Sequence, residues 1–235
     1  KSNPPTSFTH GGYKNWYDDM LQNQPTPEPL RLPEWAGKQT IDGVFFYNAE
    51  EIRIEGLPGV LKYFPEHSGY KIIKEDRTRN EWELEQLLSN GSKIHILVTT
   101  SKLSDYVKEK GVPPDYIAFL QHSYESDGFF FSDKSFNARN YDWSKSVMLL
   151  GSCGSAGLQI KLAEAGYRPQ IISNLAIGHG LVNLITSANV LNTLSLDEFN
   201  NWEDTKNQVG MDAWGVSYPD TFRARFTDYV INQQN

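Results

Sequence analysis

Five short apolar runs punctuate the middle of the chain: Gly43-Val44-Phe45-Phe46-Tyr47, Ile94-His95-Ile96-Leu97-Val98-Thr99, Tyr116–Leu120, Ser146–Leu150 and Gln170–Leu175. Each is too short for a typical helix and the runs are mostly apolar, which predicts strands buried on both faces. Between them the spacing predicts helices. Leu57, Val60, Leu61 and Phe64 lie on one helical face within 56–65. Asn80 precedes Glu81, Trp82, Glu83, Leu84, Leu87 and Leu88 and reads as the cap of a helix ending at Asn90-Gly91. Further helices are expected over Ser104–Lys110, stopped by Gly111, over Leu158–Ala165, stopped by Gly166, and over Leu181–Leu194. Strands alternating with helices predict an α/β fold with a mostly parallel sheet and helices on both faces. Three smaller elements complete the reading: a short strand at Lys71–Lys74, a hairpin in which the turn Asp127-Gly128 precedes Phe129-Phe130-Phe131, and a last helix at Phe222–Ile231.

The 235 residues divide at about residue 38. The segment 1–38 is a proline-rich arm, densest at Pro25-Thr26-Pro27-Glu28-Pro29, whose composition favours extended chain, with room for a turn or two of amphipathic helix at Tyr13–Leu21. Residues 39–235 form the α/β domain. The first residues lack the apolar core of a secretory leader, and no apolar run reaches the roughly 18 residues of a membrane span. Net charge is −7 with no Lys/Arg cluster longer than a pair, which argues against nucleic acid as a partner. A single cysteine allows neither an internal disulfide nor a Cys-based metal site, and the five histidines include no H-x-x-x-H pair, so no metal or cofactor is expected. The oligomeric state is left open.

Two of the apolar runs end on residues that carry chemistry. Ile117-Ala118-Phe119-Leu120-Gln121 delivers His122, and Val147-Met148-Leu149-Leu150-Gly151-Ser152 delivers Cys153. Crevices of parallel α/β sheets open beyond the carboxyl ends of the strands, so neighbouring strands would bring both residues to one rim. A free thiol is only a few per cent thiolate at neutral pH, and the thiolate is the nucleophile. An imidazole beside it takes that proton and returns it to the leaving group. Gly151, Ser152, Gly154, Ser155, Ala156 and Gly157 surround Cys153 with small residues. They admit a substrate backbone and turn backbone N–H groups, that of Cys153 among them, toward an oxyanion. A helix starting just beyond Cys153 would lower the thiol pKa. The expected chemistry is that of a cysteine hydrolase working through an acyl-enzyme. Set against this, a glycine-rich strand-to-helix turn also serves tight packing, and a lone cysteine is commonly a small core residue.

The stretch from about 115 to 195 resembles the caspase-like cysteine peptidases, and among them the CHAT domains most. The likeness rests on a strand ending in His122, the polar turn and aromatic run Asp127–Asp133, the strand and small residues of Val147–Ser155, and the helix and strand that follow. It implies an endopeptidase acting on protein or peptide substrates, with His122 and Cys153 catalytic. It also implies an oxyanion donor in the N–H of the residue after the histidine, here Ser123 where many members carry Gly. In that family the loop after the first strand helps line the specificity pocket, which here puts Glu50 and Glu51 forward for a basic side chain. The separation of 31 residues between His122 and Cys153 is shorter than the roughly 50 of caspases, and their Q-A-C-x-G signature is absent. The likeness therefore points to a divergent bacterial-type relative and away from a true caspase.

Two other readings stand beside this one. His179, in Ile177-Gly178-His179-Gly180, also follows an apolar strand. As the base it would give the order of a non-peptidase hydrolase or amidotransferase, with Gly151-x-Cys153-x-Ser155 as a nucleophile elbow. Only 26 residues separate it from Cys153, leaving little room for the acid-bearing strand such enzymes use, and His122 is preferred. The other is an inactive interaction module that retains the fold.

Overall fold

The computed structural model describes residues 35, 37–54, 61, 69–151, 158–174, 180–196 and 229–232. Among the described residues eight strands form one sheet: β1 (Thr40–Phe46), β2 (Lys71–Asp76), β3 (Glu81–Leu87), β4 (Lys93–Thr99), β5 (Tyr116–Phe119), β6 (Val147–Leu150), β7 (Gln170–Asn174) and β8 (Tyr229–Asn232). Their order across the sheet is β2-β3-β4-β1-β5-β6-β7-β8. The central block β4-β1-β5-β6-β7 is parallel throughout, β3 and β8 join its two sides antiparallel, and β2 pairs antiparallel with β3. The helices are α1 (Ala49–Ile54), α2 (Leu103–Lys110), α3 (Ser126–Phe130), α4 (Leu158–Ala165) and α5 (Gly180–Leu196). The expected α/β class with a mostly parallel sheet is what the chain adopts.

The apolar runs explain the layering. Along β5 and β6 every residue is buried, and alternate side chains enter opposite cores. Tyr116, Ala118, Val147 and Leu149 join one core with Phe45, Ile52 of α1 and Leu184, Ala188 and Leu191 of α5. Ile117, Phe119, Met148 and Leu150 join the other with Leu103 and Val107 of α2, Phe129 and Phe130 of α3, and Leu158 and Leu162 of α4. Gly43 of β1 faces α5 so closely that a Cβ there would lie 3.0 Å from Leu191 Cδ2. Among the described residues no helix is long and apolar enough to cross a membrane.

Of the expected helices, α2, α4 and α5 form, and Gly111 (φ +75°) and Gly166 (φ +97°) stop the first two in the left-handed region. Of the helix expected over 56–65 only Leu61, helical and buried, is described. Three expectations are overturned. The segment after Asn80 is strand β3, not a helix. Trp82 and Leu84 face the core while Glu81, Glu83 and Glu85 are less buried, a period of two that the coarser spacing Trp82, Leu84, Leu87, Leu88 concealed. Asn80, at φ +52°, belongs to the β2–β3 turn and caps nothing helical. Asp127-Gly128 lies inside α3 and makes no hairpin turn, because one helical turn buries both Phe129 and Phe130 against the sheet. At the carboxyl end Tyr229, Val230 and Ile231 pair as strand β8 with β7, so no helix continues through them. Residues 222–228 and the segment Tyr13–Leu21 lie outside the described residues.

The end of the proline-rich segment is docked on the domain. Trp35 is buried and its indole N–H donates to Lys145 O at 3.0 Å. The Lys38 ammonium pairs with Asp115, whose second oxygen accepts from Asp42 N at 3.0 Å. Lys145 and Asp115 precede β6 and β5, so the chain enters at the rim opposite the one these strands run toward.

His95 on β4 sits between two carboxylates on adjacent strands, with Nδ1 3.4 Å from Asp42 on β1 and Nε2 3.4 Å from Glu83 on β3. The Asp42 carboxylate, with a second contribution from Glu83, raises its pKa above the ordinary imidazole value although burial opposes the shift. Glu83 is lowered, first by Lys74 and then by His95, and Asp42 is lowered by His95, with Lys38 and Lys110 assisting. Glu85, bonded to Lys93 at 2.7 Å, also feels the charge of the imidazole. A histidine with a raised folded pKa stabilises fully below about pH 6.5 and loses that contribution as pH climbs through the folded value. The carboxylates act in the opposite sense, contributing above about pH 4 and losing it as pH falls. The urea midpoint is therefore expected to fall between about pH 6 and pH 9 in the wild type more than in His95→Gln. Parallel pH curves for the two proteins would contradict this.

Candidate active site

The sheet reverses its winding between β1 and β5. From β1 the chain proceeds to β4 on one side, and from β5 to β6 on the other. At such a switch point the loops leaving the two carboxyl ends diverge and a crevice opens between them. Leu120 N donates to Phe46 O at 3.0 Å, extending the β1–β5 ladder one residue beyond β5. Gln121 is buried, and His122 emerges exposed at this rim.

A short 3-10 turn, Ser123–Glu125, follows and runs straight into α3. Glu125 holds the turn from both sides. Its carboxylate Oε2 accepts from His122 N at 3.0 Å, and its own N–H donates to His122 O at 3.0 Å. The first of these is the side-chain half of a capping box, in which the third helical residue reaches back to the cap. The other carboxylate oxygen accepts from the Asn48 side-chain amide, across 77 positions of sequence. Asn48 lies just past β1, and its carbonyl accepts from Ile52 N at 3.1 Å in the first turn of α1. One carboxylate thus bridges the two loops that leave the carboxyl ends of β1 and β5. The His122 ring stacks on Tyr124, with centroids 5.0 Å apart and planes at 14°. Tyr124 is itself 69% exposed.

Behind the turn, α3 is seated by aromatic packing. Phe129 lies 5.0 Å from Phe46 and 4.9 Å from Phe119, and Phe130 lies 5.0 Å from Phe119 (ring centroids). Tyr167 Oη donates to Phe130 O at 2.9 Å, and Lys161 of α4 pairs with Asp127 at 3.3 Å. The His122 turn is therefore attached to the sheet in front and to the second core behind.

Strands β5 and β6 are parallel neighbours in the register Phe119↔Leu150. Gly151 N donates to Phe119 O at 2.9 Å, following β6 one residue past its end. Of the sequence-derived site residues, His122 is exposed just past the carboxyl end of β5, Ser123 opens the turn after it, and Glu50 is exposed on α1, which follows β1. Glu51 is also in α1. Cys153 with its small neighbours 152 and 154–157, and the rival base His179, lie outside the described residues. Among the described residues no cluster of three or more His, Cys, Asp or Glu is placed to hold a metal ion. Glu125 is not among the residues the sequence puts forward: its one local signal is the spacing His-x-x-Glu, and the turn dipeptide Asp127-Gly128 beside it points to a hairpin instead. The tie to Asn48 had no local signal. Compared with known proteins, the chain matches no family model, and neither a curated protein nor a solved structure is significantly similar to it.

Proposed function

We propose that the protein is a caspase-like cysteine endopeptidase, with Cys153 as nucleophile and His122 as general base and acid. The observation that supports this reading is the β5–β6 register. Phe119 pairs with Leu150 in parallel strands, and His122 and Cys153 each follow three residues beyond that pair. In the reaction the Cys153 thiolate adds to the scissile carbonyl, and the imidazolium returns its proton to the departing amine. The resulting thioester is then hydrolysed by a water that His122 deprotonates. The N–H groups of Ser123 and Cys153 would receive the oxyanion. The substrate would be a protein or peptide, and Glu50 and Glu51 on α1 would favour a basic side chain.

The reactivity of the thiol tests this directly. Alkylation of Cys153 by iodoacetamide is expected to show a pH midpoint below the ordinary value of about 8.5 in the wild type, returning toward about 8.5 in His122→Ala. Slow labelling with an ordinary midpoint in both proteins would instead indicate an inert module that retains the fold.

A further inference from the structure

The Glu125 carboxylate does more than a helix cap requires. A capping box uses one carboxylate oxygen on one backbone N–H. Here that oxygen takes His122 N at 3.0 Å, and the second takes Asn48, on the loop after β1. The same residue also secures the His122 carbonyl through its own N–H at 3.0 Å. Both peptide groups flanking the His122 Cα are thus fixed by one residue, which is itself anchored across the crevice. The imidazole, exposed and steadied by its stack on Tyr124, projects from that fixed backbone.

We propose that Glu125 is the positioning residue of the site, acting on catalysis only through His122 and with Asn48 as its anchor; the inference rests on the dyad proposed above. Proton transfer depends steeply on the placement of the base, so a backbone free to shift by about an ångström is enough to slow it. A Gln side chain would preserve the arrangement. Its oxygen still accepts from His122 N, and its amide can donate to the Asn48 oxygen once the Asn48 amide turns over. An Ala side chain would remove both of these hydrogen bonds.

The test is the rate at which iodoacetamide alkylates Cys153 near pH 7 in the full chain, in wild type, Glu125→Ala, Glu125→Gln, His122→Ala and the double variant Glu125→Ala/His122→Ala. Folding of each is verified by circular dichroism. The expected result is a loss of about tenfold in Glu125→Ala, little change in Glu125→Gln, and no further loss when Glu125→Ala is added to His122→Ala. Should Glu125→Ala not fold, Asn48→Ala, which removes the bridge and keeps the Glu125 contact to His122 N, must still slow the reaction, and must not do so once His122 is absent. The positioning role is overturned, with the dyad left standing, if Glu125→Ala and Asn48→Ala react like wild type, or if their loss persists without His122. If His122→Ala itself reacts like wild type, the dyad fails and the inference fails with it.

Discussion

Cys153→Ala is expected to abolish cleavage of any peptide that the wild type turns over, a loss on the order of a million-fold, because no other thiol exists in the chain to replace it. His122→Ala is expected to lower kcat about 100- to 10,000-fold, the range that a positioned acid–base group supplies. His179→Ala should leave kcat within a few-fold of wild type. A peptide library screened by mass spectrometry provides the substrate, and steady-state kinetics on one cleaved peptide provide the comparison. The double variant Cys153→Ala/His122→Ala should be no worse than Cys153→Ala alone, since in the proposed mechanism the imidazole works only through the thiol. Full loss in His179→Ala with activity retained in His122→Ala would transfer the role to the later histidine and bring back the amidotransferase-like order.

The second large effect concerns the packing behind the His122 turn. Phe129 is almost fully buried and touches Phe46 of β1, Phe119 of β5 and Phe130, whose ring lies 4.7 Å away at 88°. Phe129→Ala removes a ring from a well-filled core and is expected to cost about 3–5 kcal/mol in urea unfolding. That is a large share of the roughly 5–15 kcal/mol that stabilises a typical domain. Because α3 begins at Ser126, directly after Glu125, the same change should loosen the His122 turn and slow Cys153 alkylation well below the melting temperature. A loss under about 1 kcal/mol would mean that the aromatic cluster repacks and that α3 is not the support described here.

The parallel core was legible because buried parallel strands leave an unmistakable mark. Val147–Leu150 and Tyr116–Phe119 contain no polar position at all, as a strand covered on both faces requires. Strand β3 was not legible by the same rule. It lies toward the edge of the sheet, between β2 and β4, and alternates Glu with Trp82 and Leu84. Four apolar residues within a span of seven satisfy a helical stripe almost as well as a strand. Asp127-Gly128 misled for the opposite reason: a strong turn dipeptide was overridden by the burial of two consecutive phenylalanines. At the carboxyl end of β5, His122 stands out as a candidate because it ends an apolar run. Glu125 and Asn48 could not be joined, since their contact depends on β1 lying beside β5, a long-range pairing that neither local stretch encodes.

The proposed dyad requires the Cys153 sulfur and the His122 imidazole to lie side by side at one rim of the sheet. A bifunctional three-carbon electrophile such as 1,3-dichloroacetone first captures the thiolate and then alkylates whatever nucleophile lies within reach of its second end. After treatment and proteolysis, mass spectrometry is predicted to find Cys153 joined to His122. Cys153 joined to His179, or carrying only a single-ended adduct while His122 remains unmodified, would contradict the account.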